Sequence, residues 1–174
     1  QPMNIETIQV VPFARGIVAD YLNTGIDVQY DLEFFDTLTV QESAIQGDER
    51  LLRRAVRNLI DNAMRHNGEG CKIALSLDVE PSGMLAITVA DNGRGCDTSR
   101  IGALMAQAST PDASYDAHGL GLTLVSRISI MHGGYVSFAS EPGRGFTATM
   151  RIPAAMPQSE PTGPEQRESQ ANVR

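Results

Sequence analysis

Asn58 and Asn62 stand four residues apart in the run Arg57-Asn58-Leu59-Ile60-Asp61-Asn62-Ala63-Met64-Arg65-His66-Asn67. On a helix that spacing puts both amides on one face, with Leu59, Ile60 and Ala63 on the other flank. An amide carbonyl is a neutral oxygen ligand suited to a hard cation such as Mg²⁺. Arg65, three positions beyond Asn62 and near the same side, carries a guanidinium fork that can grip a phosphate. A second group is Ala86-Ile87-Thr88-Val89-Ala90-Asp91-Asn92-Gly93-Arg94-Gly95. A half-buried carboxylate at a strand end accepts a hydrogen bond from an amine, and an adenine exocyclic amine would fit. The glycines let backbone approach a flat ligand closely. The third group, His118-Gly119-Leu120-Gly121-Leu122, opens a helix, where free N–H groups attract phosphate.

Taken singly, each group has a plainer reading. Two asparagines can be solvated on an exposed helix face. Asp91 to Gly95 can be a loop after a strand, since Asn-Gly is a common turn pair. The Gly-x-Gly is neither a Walker loop, lacking Gly-Lys-Ser/Thr, nor a dinucleotide fingerprint, lacking the third glycine.

The elements that must position these residues are legible in outline. Phe13, Ile17, Val18, Tyr21 and Leu22 repeat at helical spacing after Pro12 and stop at Asn23-Thr24-Gly25. Val28, Tyr30, Leu32 and Phe34 alternate as a half-buried strand, and a short strand is expected over 39–46. Asp48 is placed to cap a long helix over 49–65, whose apolar face is Leu52, Ala55, Val56, Leu59, Ile60 and Ala63. Strands over 72–79 and 84–90 flank the turn Glu80-Pro81-Ser82-Gly83. The stretch 91–118 has little pattern. A helix over 120–132 stops at Gly133-Gly134, and a hairpin pairs 135–140 with 146–152. The sum is an α+β two-layer sandwich, a mostly antiparallel sheet on about three helices.

Composition sets outer bounds. The chain has 174 residues, 14 Lys plus Arg and 21 Asp plus Glu, for a net charge of −7. One domain is expected, and the charge argues against a nucleic-acid partner, which needs clustered cations. No apolar run approaches the ~20 residues of a membrane span. Cys71 and Cys96 have neither metal-site spacing nor disulfide density and are read as reduced thiols of a cytosolic setting. Residues 154–174, with Pro157, Pro161 and Pro164, have the composition of a disordered tail after a domain over 1–153. The chain begins at Gln1 rather than Met, as a piece of something longer would.

The order of the three groups is more specific than any one of them. It resembles the nucleotide-binding domain of bacterial sensor histidine kinases, within the ATPase superfamily shared with gyrase, some chaperones and mismatch-repair ATPases. Residues 57–66 resemble the N box, 91–95 the first glycine box and 118–122 the second. Gly47 to Leu51 resembles the lead-in to the N box, and 143–153 the closing hairpin; the likeness covers about 5–153.

That resemblance implies an α/β sandwich of the Bergerat type that binds Mg·ATP and donates its γ-phosphoryl group to a histidine on a separate dimerisation and phosphoacceptor domain. A response regulator would receive it next. The domain would be cytoplasmic, in a parent at the membrane. It implies that Asn62 coordinates the Mg²⁺, with Asn58 near the same site. Arg65 falls where a basic residue commonly meets the phosphates, and His66 where an aromatic one lies along the nucleotide. Asp91 would bind the adenine amine, with Gly93 and Gly95 against the base. Gly119, Leu120, Gly121 and Leu122 would present N–H groups to the phosphates, and 96–117 would be a lid. ATP-hydrolysing relatives carry Glu at position 58. An Asn amide cannot take a proton at neutral pH, so transfer to histidine is favoured over water attack.

The sequence departs from the family in three places. The sequence given carries no acceptor-histidine segment, which is expected either upstream in a longer protein or on a partner, and its three histidines, His66, His118 and His132, are each read as structural or solvent-facing. Met105, Ala108 and Ser109 stand where a phenylalanine pair is usual. Phe146 stands where Thr is common. Cys96 is read as a small filler by the base, and Arg94 as a solvated loop charge or a partner contact. Two other functions stay open: a nucleotide-binding interaction module with little chemistry, and an anti-sigma-type serine kinase, which Asn58 opposes.

Overall fold

A computed structural model describes residues 2–25, 29–37, 40–108 and 122–155. The chain runs β1 (Glu6–Gln9), α1 (Val10–Asn23), β2 (Asp31–Asp36), β3 (Ala44–Gly47), α2 (Glu49–His66), β4 (Lys72–Val79), β5 (Met84–Asp91), α3 (Thr98–Ala108), α4 (Leu122–Met131), β6 (Tyr135–Ser140) and β7 (Phe146–Pro153). Five strands form a sheet in the order β2-β4-β5-β7-β6. Only β2 is parallel to its neighbour; the other pairs are antiparallel. Strands β1 and β3 form a separate antiparallel pair.

Alternation decides which sheet face is covered. Ile73, Leu75 and Leu77 of β4, Leu85, Ile87 and Val89 of β5, and Ala148, Met150 and Ile152 of β7 are all buried. Intervening positions such as Ser76, Thr88 and Thr149 are half-buried, and Thr88 and Thr149 share a hydroxyl contact of 3.3 Å across the strands. The covered face packs against α2, whose buried stripe Leu52, Ala55, Val56, Leu59, Ile60 and Ala63 is the one the helical spacing selects. The helices therefore lie on one side, giving the two-layer sandwich.

Helix α2 is held at both ends. The Asp48 carboxylate accepts the Leu51 N–H at its start and, at 3.0 Å, the N–H of Asn4. These backbone bonds hold the Asp48 carboxyl below the usual carboxylate range, that of Asn4 most strongly. His132 Nε2 accepts the Asp48 N–H at 3.0 Å, and Nδ1 lies 2.7 Å from the Ile128 carbonyl. His132 is thus a buried link between α2 and α4. At the other end, Tyr30 Oη donates to the Met64 carbonyl at 3.0 Å. Along its length α2 is tied to α1, since Tyr21 Oη donates to Asp61 Oδ1 at 2.5 Å. Burial and the Asp61 carboxylate push the Tyr21 phenol well above its ordinary range.

Several expectations need correction. The patternless stretch contains a helix, α3. Gly102 and the small residues around it leave no continuous apolar stripe to read, but Asp97 starts the helix by accepting the Arg100 N–H at 3.1 Å. Four helices, not three, are present among the described residues. Strand β1 has no expected counterpart, because Ile8 is its single buried residue. The strand expected over 39–46 shrinks to β3, with turns closed by Val40 and Ser43 N–H bonds before it. The first two residues of the expected tail are bonded into the fold, Ala154 to Gly83 and Ala155 to Ala44; residues 156–174 lie outside the described ones, as do Val28 and Thr39.

Candidate functional site

Helix α2 and the end of β5 enclose a cavity of about 250 Å³. From α2 it is lined by Leu59, Asn62, Ala63 and His66, with Asn67 just beyond. Val89, Asp91, Arg94, Gly95 and Cys96 line it from β5 and the following loop, Arg100 from α3, and Phe146 and Ala148 from β7. The walls combine apolar side chains (Leu59, Ala63, Val89, Phe146 and Ala148) with polar and charged ones (Asn62, His66, Asn67, Asp91, Arg94 and Arg100), a mixture suited to a ligand with a flat apolar part and a charged one.

Two of those polar groups lack partners. Asn62 and His66 are one helical turn apart, and Asn62 Oδ1 and His66 Nε2 are both buried without a hydrogen bond among the described residues. Asn62 is only 6% exposed. An unpaired buried polar atom costs about 1–3 kcal/mol, so its presence in a cavity wall calls for a ligand that completes it. Burial, and then the charges of Arg65, Arg94 and Arg100, hold the His66 imidazole below its ordinary pKa of 6.5, with Asp91 pulling the other way. The ring is thereby kept neutral near pH 7.

Asp91 is fixed by its surroundings. Its Oδ1 accepts the Gly93 N–H at 2.9 Å and the Phe146 N–H at 3.3 Å. Both bonds fall on the same oxygen, which leaves the other for a ligand's donor. The β6–β7 turn buttresses this loop: Gly143 N–H donates to the Arg94 carbonyl at 2.7 Å, and Cys96 N–H to Ser140 Oγ at 2.8 Å. Gly145 has φ +89°, and a Cβ there would lie 1.9 Å from the Asp91 carbonyl oxygen. The glycines of the loop make room for protein. A Cβ on Gly93 would meet the Asn67 amide at 1.8 Å, and one on Gly95 the Glu141 carbonyl at 2.2 Å. Asn67 in turn donates to the Ala63 carbonyl at 2.8 Å. Asn67 thus joins the end of α2 to the loop carrying Asp91.

The structure brings together Asn62, His66, Asp91 and Gly95, with Gly93 in the same loop. It sets two expected residues apart. Arg65 is exposed and lines a neighbouring groove with Gly68, Glu69, Gly70, Cys71 and Asn92, because three residues fall short of a full helical turn. Asn58 is half-buried one turn before Asn62 and is not among the residues lining the cavity. Leu122 begins α4 with its side chain buried in the core, leaving only its backbone for a ligand. His118, Gly119, Leu120 and Gly121 lie outside the described residues. Sequence reasoning missed Asn67, Arg100 and the role of the β6–β7 turn, and took Arg94 away from the site. Only long-range packing shows these; the one local signal was Asn67 directly after a helix end.

Among the described residues no cluster of three or more His, Cys, Asp or Glu can hold a metal by itself. Magnesium is usually carried by one or two protein oxygens together with substrate phosphates. The orphaned Asn62 Oδ1 fits that donor set.

The family model described as histidine kinase-, DNA gyrase B-, and HSP90-like ATPase matches residues 47–156. Sensor protein BasS of Salmonella typhimurium is 38% identical over 119 residues, covering 66% of this chain and 32% of BasS. Sensor histidine kinase YvrG of Bacillus subtilis is 28% identical over 153 residues, 86% of this chain and 26% of YvrG. The chain therefore spans about a third or less of these curated relatives. The nucleotide-free catalytic domain of histidine kinase ThkA matches with TM-score 0.72 at 18% identity, over 87% of this chain and 98% of that one. Full-length ShkA in complex with AMPPNP matches with TM-score 0.74 at 22% identity, over 90% of this chain and 32% of that one. At these identities the likeness to the solved structures is one of fold. No helix among the described residues is long and apolar enough to cross a membrane.

Proposed function

This chain belongs to the family of histidine kinase-, DNA gyrase B- and HSP90-like ATPases, as an ATP-binding catalytic domain of the sensor-kinase kind, and we propose that it binds Mg·ATP in the cavity between α2 and β5 and donates the γ-phosphoryl group to a histidine of its parent kinase. The observation that carries this reading is the pairing, in one cavity, of an orphaned amide oxygen on Asn62 with the anchored carboxylate of Asp91.

In this scheme the free oxygen of Asp91 accepts the adenine amine. Apolar walls from Leu59, Ala63, Val89 and Ala148 desolvate the base, and neutral His66 lies along the nucleotide. Asn62 is the protein ligand for a magnesium ion arriving with the phosphates; when bound, that ion neutralises phosphate charge and fixes the phosphates' orientation. Asn58 stands behind it, one turn away. Arg65 reaches the phosphates only from the neighbouring groove, while Arg94 and Arg100 are the cations in the cavity wall itself. Of the second glycine box only Leu122 lies among the described residues, and in this scheme its backbone N–H at the start of α4 faces the phosphates.

The chemistry asked of the protein is positioning and charge compensation. Position 58, where ATP-hydrolysing relatives carry a Glu to activate water, holds no such base. Asn58 is an amide, and the Asp61 carboxylate is engaged by Tyr21 on the α1 side. A histidine nitrogen on an acceptor domain needs no such base. We place this domain in the cytoplasm, with the parent at the membrane and a response regulator receiving the phosphoryl group next. The test is to mix the chain with the separately purified acceptor domain of its parent and γ-labelled ATP. Acid-labile label on the acceptor histidine is expected. Nucleotide binding without transfer would instead support an interaction module, and acid-stable label on serine a serine kinase.

A further inference from the structure

A carboxylate does not by itself decide which purine it takes. One oxygen can accept the 6-amine of adenine, while two oxygens together can accept the ring N–H and the 2-amine of guanine. In this cavity the two oxygens differ. Oδ1 of Asp91 already accepts the N–H groups of Gly93 and Phe146, which uses both of its lone-pair sites. Only the other oxygen remains for a ligand, and Phe146 occupies the flank beside Oδ1.

Phe146 brings a ring as well as an N–H. It opens β7 two residues before the buried Ala148, so alternation puts both side chains on the covered face of the sheet, and both residues line the cavity. The ring is half-buried and held from behind. Its centroid lies 5.7 Å from that of Phe138, with the planes tilted by 31°, and Phe138 is not among the residues lining the cavity. The backbone just before it is tied down as well, since the Gly145 carbonyl accepts the Ser140 hydroxyl at 2.6 Å. An aromatic ring backed in this way is a stiff wall, and it offers no oxygen or nitrogen to a polar group placed against it.

We propose that Phe146 is a specificity-determining residue, which closes the cavity to purines carrying a substituent at C2. The inference rests on the nucleotide reading of the cavity. A purine that gives its 6-amine to the free oxygen of Asp91 brings its six-membered ring to this wall, because the sugar leaves from the five-membered ring toward Asn62 and the phosphates. The bare C–H at C2 of adenine suits an apolar ring. An amine at C2 overfills the space and loses its hydrogen bonds to water without gaining an acceptor.

The test compares ATP with 2-amino-ATP, which keeps the 6-amine for Asp91 and adds only the group at C2. Both are titrated into the chain with magnesium by calorimetry. The ratio of the two dissociation constants is taken on each protein separately, so an affinity loss common to both nucleotides cancels. Wild type is expected to bind 2-amino-ATP about tenfold or more weakly than ATP. Phe146→Ala should bring the two within about threefold. Phe146→Leu keeps an apolar side chain against Phe138, carries the test if the alanine variant does not fold, and should give an intermediate ratio. Wild type that binds the two nucleotides equally, or a folded variant that keeps the wild-type ratio, would overturn the proposal. Wild type that fails to bind ATP at all would refute the nucleotide reading itself, an outcome separate from the others.

Discussion

The backbone N–H of Phe146 donates to Oδ1 of Asp91 at 3.3 Å, joining the first residue of β7 to the last of β5. The carboxylate read as the adenine acceptor is therefore aimed by a hairpin distant in sequence. Gly145, the residue before Phe146, permits this approach: its φ is +89°, and a Cβ would sit 1.9 Å from the Asp91 carbonyl.

Gly145→Ala is expected to cost about 2 kcal/mol or more, since it combines a left-handed backbone with a clash against main chain. It should weaken nucleotide binding although its own side chain touches no ligand. Gly143→Ala is the control, with φ +77° and open space around its Cβ, and should cost about 1 kcal/mol. Denaturant melts of both variants check the difference.

Asn62→Ala separates stability from binding. Its orphaned Oδ1 gives the fold nothing without a ligand, so unfolding free energy should change by less than about 1 kcal/mol. Magnesium-dependent ATP affinity should fall by about tenfold or more, the loss of one hydrogen-bonded or metal-bound contact. Affinities unchanged with and without Mg²⁺ would remove the metal role.

Asp91→Asn keeps an oxygen for the Gly93 and Phe146 N–H groups, so the loop should hold its shape. A ligand amine then meets an amide in place of a carboxylate. ATP affinity is expected to fall about ten- to a hundredfold, and the preference for ATP over GTP to shrink. Competition titrations with the two nucleotides read this directly; an unaltered ratio would mean that the base lies elsewhere.

His66 sets a pH dependence. Its pKa is lowered in the fold, by burial first and by Arg65, Arg94 and Arg100 after that. A group depressed in this way contributes stability that is present above its ordinary value of 6.5 and lost as pH falls through the lowered one. Wild type should therefore lose stability relative to His66→Gln as pH drops below 6.5, and thermal melts of the two proteins from neutral to mildly acidic pH should converge or cross.

Much of this was legible locally. Helix α2 could be read because its apolar stripe, its Asp48 cap and its termination are all encoded within a few turns. Asp91 and its glycines follow a strand of clear alternation. What the sequence hid is what depends on distant chain. The partners of Gly93 and Gly95 are Asn67 and Glu141, not visible from a glycine motif alone. Arg65 looked like a neighbour of Asn62, yet its side chain opens onto another groove. Arg100 reaches the cavity only because α3 forms, from a stretch with too little apolar periodicity to announce a helix. His132 reads as structural or solvent-facing near a helix end, and only the fold shows that it is structural, a buried bridge to Asp48.

The most direct test of the central claim is a crystal structure of the chain grown with Mg·AMPPNP. The expected result is the purine amine on the Asp91 carboxylate, the base between α2 and the end of β5, and magnesium between the phosphates and Asn62 Oδ1. A nucleotide bound outside this cavity, or crystals with the cavity empty at saturating nucleotide, would contradict the account.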